Sequence, residues 1–188
     1  MMLRHLSVGI ALMFVTPGSL AAHEFELLLL APDNAATAEI DDMRAAFLIA
    51  SHERDDHPNE TSEGHLGGLD VQLTLLPLDR AGSADAAPVV VAAPFALATE
   101  PRVAALAAGG GAAILDRAML AALPVAVLLA GSAAAGLGPF ADRYRAETGR
   151  APSKAAEAAY LSARVVDMAI RPLGSVDDRA ALRRSMAP

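Results

Sequence analysis

The chain has 188 residues, 54% hydrophobic but only 4% aromatic and without Trp, so one domain of ordinary size can form around a core of many small contacts. A formal net charge of −7 with a single Lys excludes nucleic acid as a partner, because neutralising phosphates needs clustered basic residues. The absence of Cys excludes disulfides, thiolate metal sites and a lipid anchor on Cys.

Met1 to Ala22 reads as a secretory signal. Arg4 and His5 form the charged start, residues 6–15 are apolar, and Ser19-Leu20-Ala21 sets small residues at the cleavage spacing. The apolar run is too short for a stable membrane anchor. The expected product is a periplasmic protein of residues 23–188 in one domain, not inserted in the membrane after cleavage.

Residues 25–31, FELLLLA, form a short continuous apolar run stopped by Pro32 and Asp33, the pattern of a strand buried on both faces of a parallel sheet. A helix is predicted from about Thr37 to His52, with Ile40, Met43, Phe47 and Ala50 on one face. A polar loop fills residues 53–68, and residues 69–78 read as a second strand with Asp79 just beyond it. Ala81 to Ala87 is a small-residue linker, and residues 88–93 give a third strand ended by Pro94. Residues 102–108 suit a helix broken by Gly109, Gly110 and Gly111, while residues 112–115 fit a strand or a helix equally. Residues 124–130, PVAVLLA, read as a fourth strand, and residues 131–138 as a flexible loop. Residues 118–141 carry no charge, but Pro124 and the prevalence of Ala and Gly argue against a membrane span.

The tail has the clearest helix grammar. Pro139 suits a first helical position, Phe140 and Tyr144 lie one turn apart, and Gly149 supplies a stop. A long helix follows from about Ser153 to Ile170, closed by Pro172 and Gly174. Its polar positions Lys154, Glu157, Arg164, Asp167 and Arg171 share one face, and Ala158, Leu161, Val165 and Met168 form an apolar face to be covered. Ser175 followed by Asp178 opens a last helix, with Arg183 and Arg184 near its end as the macrodipole prefers.

This tail resembles the C-terminal region of the periplasmic binding proteins that serve branched-chain amino acid and amide ABC transporters. The residues that carry the likeness are Phe140, Tyr144, Gly149 with Pro152, Ala159 with Tyr160, Ala169 with Ile170, and Leu182. Leu161 departs from the Asp that the family usually places after that Tyr. The beginning is similar to the same family through Ala46, Phe47, Ala50, Glu53, Gly67, Gly68 and Asp79. The resemblance implies an α/β, parallel-sheet fold of the type I periplasmic-binding kind, reduced in size, with a helical C-terminus. It implies a solute-binding protein for a small polar ligand such as an amino acid or amide, with an ABC transporter permease as partner. Some members accompany quinoprotein alcohol oxidation. This chain lacks most of the family's middle, which carries much of the ligand-contacting sequence.

In a parallel sheet, ligands gather outside the carboxyl ends of the strands. The loops expected there contain Asp33 and Asn34, Asp79 and Arg80, Phe95 and Thr99, and Ser132. An amino-acid ligand needs hydroxyls for its carboxylate and an acid for its ammonium, roles that Thr99, Ser132 and Asp79 can fill. The densest polar segment, residues 52–65, offers His52, His57 and His65 among several carboxylates, a donor set suited to Zn²⁺ or Cu²⁺. His52 and His57 are five residues apart, not the four of a zincin helix, and Pro58 ends any helix there. The bland alternative is a solvated loop at the opposite edge of the sheet. His23, at or beside the mature N-terminus, lacks the aromatic-rich all-β surface of copper oxygenases. Gly109 to Gly111 make no phosphate cradle, and Ser132 lacks the second Gly of a hydrolase elbow, so a binding protein is expected and not an enzyme. Two alternatives stay open: a periplasmic metal-binding protein using the 52–65 loop, and a degenerate partner-binding domain without a pocket.

Overall fold

The computed structural model describes residues 24–53, 62–83, 89–93, 97, 100–106, 111–114 and 139–186. The expected signal, the strand at 124–130 and the loop at 131–138 lie outside the described residues, as do His23, His57, Phe95, Thr99 and Ser132.

Strand β1 spans Glu24–Ala31, helix α1 Thr37–His52, β2 His65–Leu66 and β3 Leu69–Pro77. A 3-10 turn at Leu78–Ser83, which reaches only the first residues of the expected linker at Ala81, leads to β4 at Val90–Ala93, α2 at Pro101–Leu106 and β5 at Gly111–Ile114. Residues 112–115, ambiguous by pattern, thus lie mainly in a strand. The tail forms α3 (Pro139–Thr148), α4 (Lys154–Ile170) and α5 (Arg179–Ser185). The chain is therefore α/β, with a sheet ordered β2-β3-β1-β4-β5 in which β2 alone is antiparallel.

β1 is the central strand, and its continuous apolar run serves both faces. Phe25, Leu27, Leu29 and Ala31 enter a core shared with α1, α3, α4 and α5, while Leu28 and Leu30 meet the 3-10 turn and Val103 of α2 on the other side. The connection from β1 to β3 carries α1 on the first face, and the one from β4 to β5 carries α2 on the second. They run in opposite directions along the sheet, so opposite faces are what crossovers of one hand require. The strand order reverses between β1 and β4.

Helix ends follow local chemistry. Ser153 caps α4 by accepting from the Ala156 N–H at 3.1 Å. Gly149, at φ 73°, closes α3 by donating to the Arg145 carbonyl at 2.9 Å. The cap of α5 is Asp178, not Ser175: its carboxylate takes the N–H groups of Ala180 and Ala181, whereas the Ser175 hydroxyl turns to Asp177.

On the polar stripe of α4, Arg164 is 8% exposed and Asp167 2%, so this part of the face is buried, whereas Lys154 and Arg171 at its ends are exposed. The buried part lies against the end of α1 and the β2–β3 turn, where partners replace water. Asp167 Oδ1 accepts the Gly67 N–H at 2.8 Å and an Arg171 N–H, and its Oδ2 lies 3.8 Å from Arg164. Glu53 accepts from the Tyr160 hydroxyl at 2.7 Å and from Arg164 at 3.2 Å. Asp42 likewise receives the Tyr144 hydroxyl at 2.8 Å and Arg150 at 2.7 Å. Phe140 stacks on Tyr160 with ring centroids 4.1 Å apart and meets Tyr144 at a tilt. Phe140, Tyr144 and Tyr160 are thus packing and tethering groups.

Candidate functional site

β1 ends at Ala31, and the chain turns at once through Pro32, with the Ala35 N–H bonded to the Pro32 carbonyl at 3.0 Å. This turn sets Asp33 outside the carboxyl end of the central strand. Pro101 opens α2 and places Arg102 in its first turn. Arg102 Nη2 lies 2.9 Å from Asp33 Oδ2, and Nη1 lies 3.5 Å from Oδ1, so the guanidinium meets the carboxylate as a fork. Glu100 adds a second carboxylate 3.5 Å from Nη2. Asp79, at the start of the 3-10 turn after β3, donates its backbone N–H to the Asp33 carboxylate. One acid thereby joins the ends of β1 and β3 to the helix that follows β4.

The Arg102 hydrogen bond is the chief reason the Asp33 carboxyl is held below the usual carboxylate value. Partial burial opposes this, and the Asp79 N–H and the Arg102 charge reinforce it. The guanidinium is correspondingly raised by Asp33. Both side chains remain about half exposed, at 45% and 49%. The pair is an ionised, solvent-accessible fork at the place where the strand order reverses, which is where open α/β sheets take ligands.

Neither a family model, nor a curated protein, nor a solved structure matches this chain.

Of the expected ligand residues, Asp79 does lie at this edge, and its backbone N–H reaches Asp33. Thr99 and Ser132 are outside the described residues. Arg102 was not singled out by sequence. The available signal was a charged residue one position after a helix-opening proline beyond an apolar strand.

The expected metal residues occupy the other end of the sheet. His52 ends α1, exposed, and His65 starts β2 with Nε2 2.6 Å from Asp70 Oδ1. Asp70 pairs with Glu24 at the beginning of β1, whereas Ala31 at its end pairs with Pro77. An eight-residue strand separates the two edges by about 23 Å. The two ends of the polar loop are pinned together: Ser51 Oγ lies 2.9 Å from the Glu63 carbonyl oxygen. Glu63 in turn accepts the Leu73 N–H at 2.7 Å and an Arg44 N–H at 3.2 Å. The His52 ring lies against the backbone at Gly64. Among the described residues, no group of three or more His, Asp or Glu side chains converges in a metal-holding arrangement.

Also among the described residues, no helix is long and apolar enough to cross a membrane.

Proposed function

We propose that this chain is a periplasmic solute-binding protein, or a shortened relative of one, of the type I periplasmic-binding kind. It holds a small polar ligand such as an amino acid or amide, without converting it, and delivers it to an ABC transporter permease. The carrying observation is the reversal of strand order between β1 and β4 with the exposed Asp33–Arg102 fork beside it. Arg102 offers a planar pair of donors suited to a carboxylate, and Asp33 and Asp79 offer acids suited to an ammonium. Thr99 and Ser132 supply further hydroxyl contacts in this reading. The family likeness of the two ends extends the proposal to a role beside quinoprotein alcohol oxidation.

Thermal unfolding with a panel of amino acids, amides and alcohols tests the reading. A ligand at 100 times its Kd stabilises the folded state by about 2.7 kcal/mol, which raises the midpoint by roughly 5–10 °C for a chain of this size. Arg102→Ala and Asp33→Ala are expected to abolish the shift while leaving the unliganded midpoint nearly unchanged, since half-exposed ion pairs contribute little to stability. A shift that survives both substitutions overturns the site. A response to Zn²⁺ or Cu²⁺ alone, lost in His65→Ala, replaces this reading with the metal-binding one. No response to any compound leaves the partner-binding domain.

A further inference from the structure

We draw no further inference here: the strongest candidate, the His65–Asp70 pair with Glu24 beside it in the cross-strand register at the amino ends of β1 and β3, is a cluster of acids around one imidazole with nothing in the structure that points to a ligand.

Discussion

Replacing Asp167 tests whether the buried polar face of α4 is a structural tie. Asp167 is 2% exposed, accepts the Gly67 N–H at 2.8 Å and faces both Arg171 and the 8%-exposed Arg164. Asp167→Ala removes the acceptor for a buried N–H and takes one of two carboxylates from a buried guanidinium. Breaking a buried pair from one side costs about 3–5 kcal/mol, because the remaining charge stays desolvated. Asp167→Asn keeps an acceptor for Gly67 and removes only the charge, so its cost should be about 1.5–3 kcal/mol, the scale of one charge-assisted hydrogen bond. Urea unfolding at neutral pH measures both. The expected order is wild type, then Asn, then Ala, with unchanged m-values for a loss of stability alone. An alanine variant within about 1 kcal/mol of wild type would refute the reasoning and mean that water solvates this face.

Three further outcomes follow from the packing. Gly67→Ala should destabilise by more than about 1 kcal/mol, because φ is 68° and the added carbon would meet Ile170 at 2.5 Å; the same urea titration reads it. Ser153→Ala should cost about 1 kcal/mol through loss of the α4 cap, read as a lower unfolding midpoint. The Tyr144 hydroxyl is pushed up to about 12, first by burial and then by its bond to Asp42. A folded-state value raised above the ordinary 10.0 favours folding fully below pH 10 and ceases to do so as pH climbs toward 12. Thermal midpoints from pH 9 to 12 should therefore fall less steeply in Tyr144→Phe than in wild type.

What the sequence disclosed depended on whether a feature was local. The continuous run at 25–31 and the helical spacing of Met43, Phe47 and Ala50 are each encoded within a few residues, and each has its counterpart in the fold. The stripe on α4 was visible as a stripe, but periodicity says which residues share a face and not what covers it. Arg164 and Asp167 meet Glu53 and Gly67, partners 111 and 100 residues away that periodicity does not name. The candidate site divided in the same way. Asp33 and Asp79 were legible as acids just past strands, whereas the meeting of Asp33 with Arg102 depends on β4 lying beside β1, an order that no local pattern contains.

The tethers between α1 and the tail also bear on how the chain folds. Asp42 and Glu53 wait for partners 102 to 111 residues away, and Gly67 for one 100 residues away. Closing such distant contacts is entropically costly before it is rewarded, which slows folding. Until Tyr144, Tyr160 and Arg164 arrive, the first strands and α1 keep an uncovered apolar face and two acids without their phenolic and guanidinium partners. The helices from Pro139 onward must therefore dock before β1, α1 and the β2–β3 turn are fully covered.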